Sequence, residues 1–223
     1  MIDLRPLGDH GFLSHFADES QARRWAEAVR LRAIPGVVDV AVAYASAAIF
    51  LDPDAIDPDR LGRVLEKIEP IAPVDFEGRT IRLPVLYDGE DLSEVARLVG
   101  LGESEVIRHH TSGDFTVFAL GFLPGFAYSG YLTEPLAGLA RRKDPRVRVP
   151  AGSVAIAGRQ TGVYPAESPG GWHLLGRTPL KIVDLSLGLF PIRPGDRLRF
   201  ESIDSETYRD RLGEPLAAIA LAE

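Results

Sequence analysis

Six arginines, Arg141, Arg142, Arg146, Arg148, Arg159 and Arg177, lie in one stretch of a chain whose formal net charge is -7. A guanidinium presents a planar fork that grips carboxylate or phosphate at two points and stacks on aromatic faces. Clustered on an acidic chain, these side chains point to a small anionic ligand. The competing reading is a solvated basic turn whose charges pair with Asp144 and other acids, the commoner fate of any one surface arginine. Between Gly121 and Thr178 the arginines share the chain with dense glycine and proline and with Phe122, Phe126, Tyr128, Tyr164 and Trp172. Glycine and proline prescribe loop shape, and the aromatic content requires those loops to pack. Gln160 and Ser168 can hydrogen-bond a polar ligand there, while Trp172, Phe126 and Tyr164 can wall it. Phe126 and Tyr164 serve equally well as core residues. Pro169-Gly170-Gly171 reads either as a nest of backbone N–H groups for an anion or as a tight turn.

Other chemistries find little support. The absence of cysteine removes disulfides, thiolate nucleophiles and cysteine-based metal sites. The five histidines, His10, His15, His109, His110 and His173, form no metal signature, and no metal is expected. Ser129 and Ser153 lack the spaced glycines of a nucleophile elbow. Neither GxxxxGK[ST] nor GxGxxG occurs, so any nucleotide needs another cradle or a partner. The acidic balance argues against nucleic acid. Without a basic start and apolar h-region, or a run of about 18 apolar residues, neither export nor membrane spanning is expected. The expected compartment is the cytoplasm.

The elements that must position these residues fall into two sets. Ile2 to Leu7 and Gly11 to Phe16 read as strands, followed by a helix carrying Ala22, Trp25, Ala26, Val29 and Ala33 at helical spacing. Val37 to Val42 and Ala47 to Leu51 read as two more strands. A second helix, capped by Asp57 before Pro58, presents Leu61, Val64, Leu65 and Ile68. This is an α+β N-terminal domain, placed at 1–78. A mainly β domain at 79–223 opens on Thr80 to Tyr87 and two short helices, Leu92 to Val99 after Asp91 and Glu103 to His110. Strands are expected at Phe115 to Leu120, Ser153 to Ala157, Gly162 to Tyr164, Trp172 to Gly176, Leu180 to Val183 and Arg197 to Glu201, with a terminal helix over Asp204 to Ala222 interrupted around Gly213 and Pro215.

Three blocks carry a family resemblance: Leu120 to Phe126, Arg148 to Gly158, and Gln160 to Pro165 continuing through Ser168-Pro169-Gly170-Gly171-Trp172 to Gly176-Arg177-Thr178-Pro179. In this order they resemble the family of the 5-oxoprolinase B subunit, also called KipI-like or allophanate hydrolase subunit 1. His110 and the pair Arg142 and Arg146 match a family histidine and a basic turn. Phe126-Ala127-Tyr128-Ser129-Gly130-Tyr131 departs from the family's Phe-Pro-Tyr-Leu-Gly-Gly and loses a proline and a glycine. The resemblance implies a cyclophilin-like β-barrel as the second domain. It also implies a role in ATP-dependent opening of 5-oxoproline to L-glutamate, with A and C subunits as partners and ATP used by the assembly.

On that footing Arg146, Gln160 and His110 are the catalytic candidates. Arg142, Ser168, Gly171, Trp172, Arg177, Phe126 and Pro124 are the substrate-binding ones. The alternatives are a KipI-like inhibitor of a sensor histidine kinase, a component of an enzyme acting on an allophanate or urea-related amide, and, ranked last, a prolyl isomerase. An exposed apolar patch would mark a partner face.

Overall fold

The structure is a computed structural model of the chain and describes residues 2–72 and 78–216. The chain divides into two compact units, Met1–Glu77 and Gly78–Glu223.

In the first unit, strands β1 (Leu4–Pro6), β2 (Gly11–His15), β3 (Val37–Ala43) and β4 (Ser46–Leu51) pair antiparallel in the order β1-β2-β4-β3. Two helices accompany them, α1 (Glu19–Leu31) and α2 (Pro58–Leu65). Each helix starts where a carboxylate takes up an orphan N–H: Asp18 accepts from the Gln21 amide at 2.7 Å and Asp57 from the Arg60 amide at 2.8 Å. The helical spacing of Ala22, Trp25, Ala26 and Val29 puts all four in the core, with Leu61 and Leu65 from α2. The indole N–H of Trp25 is satisfied by the Ile68 carbonyl at 3.0 Å.

The second unit is mainly antiparallel sheet with a few short helices. Its strands are β5 (Thr80–Val85), β6 (Phe115–Leu120), β7 (Ala127–Gly130), β8 (Arg146–Val149), β9 (Ser153–Ala157), β10 (Gln160–Val163), β11 (Ser168–Gly170), β12 (His173–Arg177) and β13 (Arg197–Ser202). Helices α3 (Leu92–Val99) and α4 (Glu103–Thr111) follow β5, and α5 (Ser205–Asp210) follows β13. Parallel pairing of β5 with β13 starts a path that continues β13-β6-β7-β10-β9-β12. Reciprocal bonds of 2.9 Å between Leu86 and Arg177 return the end of β12 to the end of β5. The path encloses Leu83, Val85, Phe115, Val117, Ile156, Leu175, Leu198 and Phe200. β8 and β11 form a separate two-stranded ribbon.

Several sequence expectations need correction. Leu180, Ile182 and Val183 are buried, yet this run makes only the single bridge from Lys181 to Pro215 and is not a strand; its apolar content reaches the core without a ladder. The terminal segment, by contrast, starts as α5 and breaks at the expected interruption, before Gly213, which sits at φ +86°; residues 217–222 lie outside the described region. Pro169-Gly170-Gly171 is neither nest nor tight turn, because Ser168 and Gly170 pair with Val149 and Arg146 across the ribbon. No helix among the described residues is long and apolar enough to cross a membrane.

Candidate functional site

One carboxylate organises the basic loop. Asp91 stands at the N-cap position of α3, where its side chain makes no capping bond. Its Oδ1 instead accepts from Arg142 Nη1 and Arg146 Nη2, both at 2.7 Å, and its Oδ2 from the Leu174 amide of β12 at 2.7 Å. Glu94 adds a 3.3 Å contact to Arg142 Nη1, and Glu90 one of 3.2 Å to Arg146 Nε. Asp91 is 2% exposed. Burial pushes its carboxyl up, but the Arg146 bond, the Leu174 amide and the Arg142 charge together hold it below the usual carboxylate range. The Asp91 bond raises the Arg146 guanidinium in return. Two backbone contacts complete the clamp: the Arg142 amide donates to the Gly171 carbonyl at 2.8 Å, and His173 Nε2 donates to the Ala140 carbonyl at 2.9 Å.

The clamped loop leaves Arg141 facing the other way. Phe122, Phe126, Tyr128, Arg141, Pro145, Tyr164, Pro169, Gly170, Gly171 and Trp172 line a cavity of about 240 Å³. Its aromatic walls meet edge to face: ring centroids lie 5.2 Å apart for Phe126 and Tyr164, 5.4 Å for Phe126 and Trp172, and 5.0 Å for Phe126 and Tyr128. Phe126, Tyr164 and Trp172 are buried, so these walls are fixed by the core. Gly170 is required here, since a Cβ would collide with Tyr164. Arg141 is exposed and makes no ion pair among the described residues. Burial pushes the Tyr164 hydroxyl up, and the charges of Arg141 and Arg146 pull it back in part. The result is an open, aromatic-walled pocket with one cation at its edge that makes no ion pair among the described residues, suited to a small, flat, anionic molecule.

Of the residues singled out from sequence, Phe126, Gly171 and Trp172 line this cavity. Arg142 and Arg146 stand behind it, committed to Asp91. Ser168 is buried one residue before the lining, its hydroxyl donating to the Pro169 carbonyl at 3.1 Å. Pro124 is exposed in the loop between β6 and β7. Gln160 is half-buried on β10, opposite Gly130 and Ala157.

Arg177 belongs elsewhere. It pairs with Asp88 at 2.7 Å and lies over the Tyr208 ring at 4.7 Å, beside a different depression lined by Glu90, Pro150, Ser153 and Gly176. His110 sits in the core between Phe115 and Phe200, with centroids at 5.4 and 4.4 Å. Thr161 gives its single hydroxyl hydrogen to the Ala155 carbonyl at 3.1 Å, so His110 Nε2, 2.8 Å away, must donate to Thr161. Nδ1 then accepts from the Tyr87 hydroxyl at 2.6 Å. Burial alone pushes His110 down to about 3 and the Tyr87 hydroxyl up.

Sequence reasoning passed over Asp91 and the pocket-facing role of Arg141. The signal for Asp91 was weak, because an acid before a helix reads as a cap. For Arg141 the hint was its place next to a family-matched arginine, since adjacent residues of an extended loop face opposite ways.

Comparison with known proteins agrees with this architecture. The family model for the carboxyltransferase domain, subdomain C and D, matches residues 2–187. The 5-oxoprolinase B subunit of Escherichia coli O157:H7 is 41% identical over 81% of this chain and 85% of its own length. The Bacillus subtilis (strain 168) protein of the same name is 35% identical over 92% of this chain and 94% of its own. Among solved structures, TTHA0988 superposes with a TM-score of 0.77 at 38% identity over 92% of this chain, which spans 41% of that longer polypeptide. A region of the Kluyveromyces lactis urea amidolyase shares the fold alone, at TM-score 0.69 and 19% identity, covering 94% of this chain and 15% of that one. The chain therefore belongs to the family of the 5-oxoprolinase B subunit, built on the carboxyltransferase domain, subdomain C and D.

Proposed function

We propose that this chain is the B subunit of a cytoplasmic, ATP-dependent 5-oxoprolinase that opens the lactam of 5-oxoproline to L-glutamate together with A and C subunits. The observation that carries the reading is the uncommitted Arg141 at the edge of the aromatic cavity. A five-membered lactam with one carboxylate needs flat apolar walls and one cation, and Phe126, Tyr164, Trp172 and Arg141 supply them. Arg141 binds the substrate carboxylate. Arg142 and Arg146 act as positioning residues that hold the loop through Asp91. Arg146 Nη1 is buried without a hydrogen-bond partner and lies behind the cavity lining, so Arg146 acts on the substrate through the loop it holds. Gln160 and Arg177 serve a neighbouring part of a composite site.

ATP does not fit this cavity. A triphosphate needs several free cations or a cradle of amides, and Arg142 and Arg146 are already engaged by Asp91, Glu94 and Glu90. We assign ATP binding to a partner subunit. That partner fits an exposed apolar loop, Leu185, Leu187, Leu189 and Phe190, with exposed Phe122 nearby. Gly125, at φ +83°, brings the two together, because any Cβ there would meet Val183 and, at 3.5 Å, Phe190. We further propose that 1–78 and 79–223 are separate domains, the second a cyclophilin-like barrel; the return of β12 to β5 supports this.

The test is glutamate release from 5-oxoproline with ATP, by the chain alone and after co-expression with A and C subunits. Activity in the assembly alone is expected. An assembled complex that is silent on 5-oxoproline sinks the proposal. Turnover of an allophanate-type amide, or tight binding to a sensor histidine kinase without turnover, would put another reading in its place.

A further inference from the structure

Within the first unit, α2 and the turn that follows it present three faces. Leu61, Leu65 and Ile68 are buried. Asp59 and Glu66 fall on one flank. Arg60, Arg63, Val64 and Lys67 recur at i, i+3, i+4 and i+7 on the third face, and all four are exposed. Arg32, the C-cap of α1, joins them. The four cations, with Val64 and Ile68, surround a shallow depression of about 440 Å³.

Among the described residues none of these four cations makes an ion pair, whereas Arg79, Arg142, Arg146, Arg148, Arg177 and Arg199 of the second unit all do. Helix electrostatics account for three of the four and leave Arg60 unexplained. Arg32 and Lys67 lie at or just past helix C-termini, where the dipole favours a cation. Arg63, in the last turn of α2, is favoured likewise, and only Arg60, in the first turn, is opposed by the dipole. Gathered on one face of a chain of net charge -7, these cations, of which Arg32 donates to the Ala28 carbonyl at 2.9 Å and none is ion-paired among the described residues, repel one another unless something acidic covers them.

We propose that this face docks an acidic segment of a partner protein, with carboxylates on Arg60, Arg63, Lys67 and Arg32 and an apolar side chain on Val64. The charges extend from residue 60 to residue 67, about 10 Å of helix axis, more than one phosphate or carboxylate spans. No convergent amides serve a compact anion, because the Arg60 amide is already taken by Asp57. Four charges on an acidic chain are too few for a nucleic acid backbone. Val64, 40% exposed amid the cations, supplies the apolar contact that a mixed acidic and apolar segment would use.

The test uses the full chain and a fluorescent 12-residue peptide of glutamates with one leucine per helical turn. Binding that weakens with salt is expected, and Arg60→Glu with Arg63→Glu should weaken it about 100-fold, roughly tenfold for each reversal. Val64→Ser should weaken it several-fold, and the melting temperature of each variant should stay that of the parent, since these side chains are exposed. The proposal is overturned if the peptide fails to bind at low salt, if the double reversal leaves affinity unchanged, or if inorganic phosphate or an oligothymidylate of equal charge displaces the peptide equally well.

Discussion

Arg141 and Arg142 are adjacent in sequence and face two regions with opposite physics. Behind the loop, the Asp91 hub gathers two guanidiniums and an amide on one buried carboxylate. In front, Arg141 stands beside packed aromatic rings with no ion pair among the described residues. The hub's charges neutralise one another and fix geometry; the pocket leaves Arg141 without an ion pair among the described residues, which is what the proposed anion site requires. A cluster of arginines is therefore not one feature. Its members divide by whether the fold has already supplied their carboxylate.

The sharpest way to break this comparison is to remove the hub. Asp91→Ala leaves Arg142, Arg146 and the Leu174 amide without their shared acceptor, and deleting one partner of a buried ionic network costs about 3–5 kcal/mol. The thermal midpoint should fall by roughly 10 °C, read by calorimetry, and an unchanged midpoint would reduce the hub to decoration. Arg141→Ala should do the reverse. It removes one charge-assisted hydrogen bond to substrate, so kcat/KM of the assembled enzyme should drop about 100-fold. Folding stability should stay within about 0.5 kcal/mol because the side chain is exposed. A melting shift with intact turnover would exchange the roles assigned to the two arginines.

The first unit was readable almost completely from sequence, because its signals are local: Asp18 and Asp57 cap what they precede, and the spacing of Ala22, Trp25, Ala26 and Val29 states which face is buried. In the second unit, strands rich in β-branched and apolar residues, such as Ser153–Ala157, were equally plain. Strands β7, β8 and β11 were not. They carry Gly130, Arg146, Pro169 and Gly170, residues that read as loop, and they pair because distant partners offer edges. The hub was hidden for the same reason, since 51 residues separate Asp91 from Arg142 and nothing in either neighbourhood names the other. His110 was marked from family resemblance as catalytic, and only burial distinguishes a histidine that holds a core from one that meets a ligand.

That histidine sharpens the contrast through pH. His110 titrates at about 3 in the folded chain against roughly 6.5 unfolded, so folding favours its neutral form. The stability this contributes is complete above the unfolded value and is lost as pH falls below it, at about 1.4 kcal/mol per unit, or about 2 kcal/mol by pH 5. Asp91 also has a depressed value, but its unfolded carboxyl titrates near 4, so its loss begins only at lower pH. Denaturant melts from pH 7 to pH 5 should therefore show a slope that His110→Gln abolishes and Asp91→Asn leaves in place. A slope that survives His110→Gln would mean that another group titrates in this range and that the buried His110 is not its source.

The smallest effect is expected at Arg148, which tests whether pairing or burial makes the hub strong. Its 2.6 Å contact with Glu167 is as short as any made by Asp91, yet its side chain is 75% exposed. Water screens such a pair, and holding two long side chains together costs entropy, so Arg148→Ala should change stability by no more than about 0.5 kcal/mol. Measured beside Asp91→Ala, the same type of contact should differ severalfold in worth. If Arg148→Ala proved as damaging as the loss of Asp91, the hub's strength would come from contact geometry alone, and the division between committed and uncommitted arginines would have to be redrawn without reference to burial.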